Sequence, residues 1–264
     1  MDEQVLPVSP IDLYARLGTA SAPVLVDVRR GALSGDDRLI IGAQHPMPDD
    51  IGHWQNELLA GRPVVVYCAD GRAASPDVAA ALRATGIKAA YLEGGLAGWT
   101  AGRLPTRKNL GAATNKWVTR EHPKIDRIAC PWLVSRFINP NAEFLYVPLS
   151  DVFEVAKDTG ATIYDVKGVE FGHVGDRCSF DGILCIYDIH DPALDHLAKI
   201  VRGADTSRPD LTPQCQGLLA ISYGLSANYP DHEMLRHGMI IYDALYTWCR
   251  SQAEKQRSPA KATA

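Results

Sequence analysis

Apolar and polar positions alternate regularly from the start of the chain to about residue 105. Short apolar runs bounded by proline, glycine or charge predict buried strands, and segments that open on capping residues predict helices. The predicted strands are 23–29, 64–67 and 89–95, and the predicted helices are 9–17, 51–59 and 75–85. Because strands alternate with helices, the pattern predicts an α/β fold, a parallel sheet with flanking helices.

The pattern changes after residue 117, where longer helical segments are mixed with strands. Strands are predicted at 143–147, 162–166 and 178–187. Helices are predicted to begin near Pro123, Ser150, Asp191, Thr212 and Asp231. The last helix carries an apolar stripe that is expected to face a core. This half therefore predicts a mixed α/β or α+β domain.

Small and polar residues separate the two patterns. The segment 106–116 is typical of a linker. It divides a first domain at 1–105 from a second domain at 117–250. Residues 251–264 are polar and predict a flexible tail.

Composition narrows the function classes. The 264 residues are 46% hydrophobic and 22% charged, with a net charge of −4 and no long basic run. Nucleic-acid affinity depends on neutralising phosphates, so no major nucleic-acid role is indicated. The acidic start lacks the apolar core of a signal peptide, and no run reaches membrane-spanning length, which predicts a cytoplasmic protein without a membrane partner. Six cysteines without a Cys-x-x-Cys pair give no disulfide scaffold.

Cys68 is the candidate catalytic residue. It follows the apolar run 64–67, and a short loop leads from it to Ser75 and Pro76, a typical helix N-cap and first helical position. A cysteine between a strand and a helix N-terminus is favoured as a thiolate, because loop amides and the helix dipole stabilise negative charge. The alternative is an inert buried thiol.

The loop after Cys68 is the predicted anion cradle. Converging N–H groups would stabilise a persulfide or a tetrahedral oxyanion, and Arg72 would pair with the substrate unless it is merely a solvated loop residue. The candidate substrate-binding residues are Ala69, Asp70, Gly71, Arg72, Ala73, Ala74 and Ser75.

Residues 5–105 resemble a single-domain rhodanese. The resemblance rests on Asp27-Val-Arg29, Ile41-Gly-Ala-Gln-His45, Cys68 followed by Gly71, and Gly94-Gly-Leu-Ala-Gly-Trp99. It implies a rhodanese-like sheet and a sulfurtransferase that carries sulfur as a Cys68 persulfide. It also implies a small-molecule sulfur donor or oxyanion as partner, and no required cofactor.

The loop departs from this family in two ways. Ala73 stands where thiosulfate-type rhodaneses carry an arginine, and the interval from Cys68 to Ser75 is one residue longer. A wider loop resembles the arsenate-reductase and phosphatase branch, but Ala74 stands where that branch carries an arginine. Two other functions therefore stay open. One is reduction of chromate or another oxyanion by Cys68, and the other is a non-catalytic oxyanion sensor or adaptor.

Residues 117–250 resemble the carboxyl-terminal domain of chromate-resistance proteins. The segments that carry the resemblance are 117–132, 170–173, 178–181, 200–205 and 238–246. It implies a link to chromate resistance. Some relatives carry a DNA-binding segment before this domain, but here the rhodanese-like half takes that place, so a DNA-binding role is not expected.

Basic residues near the predicted helix start at Pro123 are oxyanion candidates in the second domain. Arg120, Lys124 and Arg127 could bind a tetrahedral dianion such as chromate together with helix N–H groups. The alternative is a solvated helix face with Asp126 as ion-pair partner.

A divalent metal site is the remaining interpretation for the second domain. Glu170 and His173 are three residues apart, in a glycine-containing loop, and Asp231 and His232 could complete the site. Oxygen and nitrogen ligands suit zinc, manganese or iron. A structural or solvated role is the alternative.

Overall fold

The computed structural model describes residues 7–30, 37–45, 61–72, 74–111 and 114–257. The chain forms two compact units. Unit 1 is Met1–Gly111 with Arg136–Pro140, and unit 2 is Ala112–Ser135 with Asn141–Ala264. Within the described ranges, no helix is both long enough and apolar enough to cross a membrane.

A five-stranded parallel sheet forms the centre of the described part of unit 1. Its strands lie in the order β1-β6-β5-β2-β4. They are β1 (Pro7–Val8), β2 (Val24–Asp27), β4 (Ala43–Gln44), β5 (Val64–Tyr67) and β6 (Ala89–Leu92). Every residue of β2 and β5 is buried, as expected for strands covered on both faces. The predicted parallel sheet is confirmed.

The described part of unit 1 also contains three helices. They are α1 (Pro10–Arg16), α2 (Ala74–Ala84) and α3 (Gly95–Ala101). The Ser9 hydroxyl accepts the Asp12 N–H at the start of α1, as the pattern of a cap followed by proline predicts. Ser75 is not the N-cap of α2, since the helix already includes Ala74. The predicted helix 51–59 lies outside the described residues.

The start of the predicted linker belongs to unit 1. Strand β7 (Thr106–Lys108) pairs antiparallel with β3 (Arg38–Ile40). The preceding turn is fixed by the Trp99 indole N–H, which donates to the Pro105 carbonyl at 2.9 Å. The expectation of a linker from residue 106 is therefore corrected, because 106–108 make sheet hydrogen bonds.

Unit 2 contains a three-stranded parallel sheet in the order β10-β8-β9 among its described residues. The strands are β8 (Lys116–Arg120), β9 (Glu143–Val147) and β10 (Thr162–Ile163). The helices are α4 (Asp126–Phe137), α5 (Val152–Thr159), α6 (Ser179–Ile186), α7 (Pro192–Asp205), α8 (Gln214–Asn228) and α9 (Asp231–Arg257). This is the mixed α/β arrangement that the pattern predicts.

Two expectations for unit 2 are wrong. The segment 178–187, predicted as a strand, forms α6, because its buried residues Phe180, Ile183 and Leu184 follow helical spacing. The Cys178 N–H also donates to the Asp181 carboxylate in a capping arrangement. The predicted tail begins too early, since α9 continues to Arg257.

Candidate functional site

Cys68 lies directly after β5, and its thiol points at a buried hydroxyl. The side chain is 5% exposed. Its Sγ lies 3.2 Å from Oγ of Ser75, which is fully buried in the first turn of α2. The Ser75 hydroxyl is therefore directed at the cysteine sulfur rather than at the N–H groups of its own helix.

Two opposing effects set the pKa of the Cys68 thiol. Burial raises it, because a thiolate loses solvation. Hydrogen bonds from the Ser75 hydroxyl and from the N–H groups of Ser75, Asp70 and Gly71 lower it. The hydrogen bonds outweigh burial, so the thiol pKa lies below its ordinary value. The structure thus brings three of the predicted cradle residues to the sulfur, which favours a thiolate nucleophile.

Two glycines allow the loop to bend tightly around the thiol. Gly71 has φ +74°, and a Cβ at this position would lie 2.8 Å from the backbone nitrogen of Gly94. Gly95 has φ +54°, and a Cβ there would collide with the Cys68 carbonyl. Only glycine adopts these conformations at such close approach without strain.

Helix α3 orients the loop from the other side. The Leu96 N–H donates to the Cys68 carbonyl and the Ala97 N–H donates to the Ala69 carbonyl, both at 2.9 Å. These bonds fix the carbonyls of the loop on α3. The Gly94-Gly95 pair, which in the sequence is only part of a family resemblance, thus opens the helix that holds the loop.

The remaining loop residues differ in their surroundings. The Asp70 carboxylate accepts the Arg72 N–H at 3.1 Å and lies 3.8 Å from Cys68 Sγ. Arg72 is exposed, so its guanidinium is accessible to a substrate anion. Ala74 is half-buried at the start of α2, and Ala73 lies outside the described residues.

A buried ion pair holds the end of the neighbouring strand β2. Arg29 Nη2 lies 2.6 Å from the carboxylate of Asp27, which is fully buried. Arg29 also donates to the Arg38 carbonyl at 2.9 Å. These contacts give the pair a role in organising the strand end.

Unit 2 contains a second polar site, here called the His173 cluster, made of Asp126, Asp165, His173 and Asp205. Asp126 begins α4, Asp205 ends α7, and Asp165 follows β10. His173 Nε2 lies 3.5 Å from an Asp126 oxygen, 3.3 Å from an Asp165 oxygen and 3.2 Å from an Asp205 oxygen. Four parts of the chain thus meet at one imidazole nitrogen.

Crowded carboxylates shift the pKa values in this cluster. Burial raises the pKa of Asp126, and repulsion from Asp165 adds to it. Burial, then repulsion from Asp126 and Asp165, raises the pKa of Asp205 to about 7. Hydrogen bonds to Asp126 and Asp165 raise the pKa of His173 to about 10. The cluster therefore attracts positive charge.

Neighbouring groups hold the carboxylates in place. The backbone N–H of Ser179 donates to Asp126 Oδ2 at 2.5 Å, and the Ser179 hydroxyl donates to Asp165 Oδ1 at 2.8 Å. Arg127 Nε lies 3.4 Å from Asp165 Oδ2. Asp126 Oδ1 is buried and has no hydrogen-bond partner among the residues described.

The basic residues predicted as an oxyanion site point in different directions. Arg127 pairs with Asp165 rather than with Asp126, and it donates to the Glu121 carbonyl at 2.7 Å. The Lys124 ammonium lies 4.2 Å from the centre of the Tyr223 ring. Arg120 is exposed. Arg127 and Lys124 thus contact different protein groups and do not converge on one anion site.

The predicted metal ligands are also separated. Asp231 accepts the His122 N–H, the His232 ring packs against Tyr146, and Glu170 is exposed. Across the described ranges, ligand atoms at metal-binding spacing are found in Asp126, His173 and Asp205. Of the predicted ligands, only His173 belongs to this group. The aspartates were missed because they lie far apart in sequence and form no local motif.

Comparison with known proteins agrees with the two units. Residues 9–102 match the rhodanese-like domain, and residues 117–249 match the family described as "ChrB, C-terminal domain". Protein ChrB of Cupriavidus metallidurans is 34% identical over 149 residues, which are 56% of this chain and 44% of that protein. This chain therefore spans less than half the length of that relative.

Similar solved structures cover about two fifths of the chain. A full-length protein from Lactobacillus plantarum is 27% identical, over 39% of this chain and 88% of that one, with a TM-score of 0.37. A rhodanese-related protein from Thermoplasma volcanium is 21% identical, over 38% of this chain and 95% of that one, with a TM-score of 0.34. Residues 117–249 are about half of the chain, so this protein belongs to the family of the ChrB C-terminal domain, and it carries a rhodanese-like domain at residues 9–102.

Proposed function

We propose that the rhodanese-like domain is a sulfurtransferase that carries sulfane sulfur on Cys68 and that this activity serves a chromate-related role. The observation that carries the proposal is the Cys68 thiol, whose pKa is lowered by the Ser75 hydroxyl and by loop N–H groups in spite of burial. A thiolate is the form of cysteine that attacks sulfur. Membership in the ChrB family supports the link to chromate.

The transfer has two balanced steps. The Cys68 thiolate attacks the outer sulfur of a thiosulfate-type donor, and a bond forms between Sγ and that sulfur. The sulfur–sulfur bond of the donor breaks, and its electron pair leaves with sulfite. A nucleophilic acceptor then takes the outer sulfur from the persulfide and returns the Cys68 thiolate, so no external oxidant or reductant is required.

The loop contributes to both steps. The N–H groups of Asp70, Gly71 and Ser75 that stabilise the thiolate are placed to stabilise the persulfide anion that replaces it. Arg72 is exposed beside the loop and would pair with the sulfonate group of a donor. This single cation predicts modest selectivity for anionic donors.

Sulfur transfer accounts for the site better than chromate reduction does. The Cys68 sulfur faces a serine hydroxyl rather than a second thiol. Reduction of chromium(VI) to chromium(III) takes three electrons, more than one thiolate supplies, so it would need an additional reductant, whereas sulfur transfer does not.

The test is steady-state sulfur transfer from thiosulfate, and from an organic persulfide, to cyanide with detection of thiocyanate. Cys68→Ser should abolish the reaction, and the matched control Cys185→Ser, which alters an exposed cysteine, should keep it. Protein-dependent thiocyanate formation, above the rate measured without protein, that persists in Cys68→Ser would refute the assignment. So would a wild-type chain that transfers sulfur from neither donor.

A further inference from the structure

The three carboxylates around His173 are too many for the one proton of its Nε2. An imidazole Nε2 carries at most one hydrogen, so it can donate to only one oxygen well. The observed separations of 3.2, 3.3 and 3.5 Å also exceed the ~2.7–2.9 Å of good charge-assisted hydrogen bonds. The imidazole proton therefore cannot satisfy all three oxygens that surround it.

The same separations fit a coordination sphere. Zinc binds histidine nitrogen and carboxylate oxygen at about 2.0–2.2 Å, which places neighbouring ligand atoms of a tetrahedral site about 3.4 Å apart. The distances from His173 Nε2 to the three oxygens lie close to this value. The ligand atoms of Asp126, His173 and Asp205 all lie within 4.8 Å of one another.

An unsatisfied buried oxygen is the second, independent observation. Asp126 is fully buried and enters the cluster through Oδ2. The other oxygen of the same carboxylate, Oδ1, is buried without a hydrogen-bond partner in the part of the chain that the structure describes. Buried carboxylate oxygens are normally satisfied by donors or by cations, so this oxygen has an unused coordination position.

The charge balance of the cluster also favours a bound cation. Asp126, Asp165 and Asp205 bring three carboxylates together, and Arg127 pairs with Asp165 at the edge of the cluster. The nearby Arg202 lies 3.2 Å from Asp181 instead. A metal-bound imidazole is neutral, so Arg127 offsets one of the three carboxylates and a dication would compensate the other two.

We propose that Asp126, His173 and Asp205 bind a divalent first-row transition metal ion, with the Asp165 carboxylate beside them as an additional negative charge. His173 and Asp205 are partly exposed, at 43% and 18% of their side chains, so an ion can enter from solvent and meet the buried Asp126 carboxylate. The Ser179 N–H orients the Asp126 ligand, as outer hydrogen bonds do in metal sites, and the Ser179 hydroxyl holds the neighbouring Asp165 carboxylate. One imidazole with several carboxylates suits Mn²⁺, Fe²⁺ or Zn²⁺.

The test uses the full chain, purified without a histidine tag and stripped with a chelator. Mn²⁺ binding is followed by electron paramagnetic resonance and Zn²⁺ binding by titration calorimetry, with elemental analysis of the dialysed protein. The wild type should bind one ion per chain. His173→Gln and Asp205→Asn should each weaken binding by at least about tenfold.

Glu170→Gln is the matched control, because Glu170 is an exposed acidic residue in the same loop as His173. It should bind the ion as the wild type does. Circular dichroism of each variant separates ligand loss from unfolding. A wild-type chain that takes up neither ion overturns the proposal without reference to any variant, and so does undiminished binding by folded His173→Gln.

Discussion

Replacing Ser75 by alanine tests how the thiolate is stabilised. The substitution removes the hydroxyl that lies 3.2 Å from Cys68 Sγ and keeps the backbone N–H groups of the loop. Ser75 is inside α2, where alanine is a good helix former, so the helix itself should tolerate the change. The effect should therefore appear in the thiol rather than in the fold.

The magnitude follows from the kind of bond that is lost. A hydrogen bond to a charged group contributes about 1.5–3 kcal/mol. Cys68 is 5% exposed, so water cannot easily replace the hydroxyl. Since 1.36 kcal/mol corresponds to a factor of ten, the thiolate-to-thiol ratio of Cys68 should fall by about ten- to a hundredfold at a fixed pH.

The assay is the pH dependence of alkylation by iodoacetamide, followed by peptide mass spectrometry. In the wild type, Cys68 should react as a thiolate below the ordinary thiol pKa, because its own pKa is lowered. In Ser75→Ala the midpoint for Cys68 should move to higher pH, while the exposed Cys185 serves as an internal reference. An unchanged Cys68 midpoint in a folded variant would refute the role given to Ser75.

Other substitutions test the loop and the strand end. Gly95→Ala should destabilise unit 1 by more than about 1 kcal/mol in denaturant unfolding, because a Cβ would collide with the Cys68 carbonyl at φ +54°. Arg72→Ala should slow sulfur transfer from thiosulfate more than sulfur transfer from an uncharged persulfide, and should change the free energy of unfolding by less than about 0.5 kcal/mol. Equal slowing with both donors would contradict the role of Arg72 in binding anionic donors. Asp27→Ala should lower the free energy of unfolding by about 3 kcal/mol, because it leaves Arg29 without its buried partner. A stability near that of the wild type would show that the ion pair does not stabilise the strand end.

The sheet of unit 1 was predictable because burial on both faces leaves a continuous apolar run. The valines of β2 and β5 give that run, and Cys68 follows it directly. The contact of the Ser75 hydroxyl with Cys68 was not predictable, because a serine before a proline usually caps the start of a helix. Its direction toward the thiol depends on how α2 packs beside β5.

In unit 2 the local sequence pattern predicted the wrong secondary structure for one segment and gave no sign of the His173 cluster. The apolar run 178–187 resembles a strand, but Ser179 donates its N–H to Asp126, which lies far earlier in the chain, and the segment folds as α6. The same long-range contacts assemble the His173 cluster. Asp165 and Asp205 have no spacing in sequence that connects them to His173, so only the folded chain shows the group.

A single-turnover mass measurement tests the central claim most directly. The full chain is incubated with a sulfane-sulfur donor, freed of small molecules and analysed intact without reductant. The account predicts a gain of one sulfur atom, located on the peptide that contains Cys68 and removed by cyanide. A wild-type mass that stays unchanged with every donor, or a sulfur that is found on another cysteine, would contradict it.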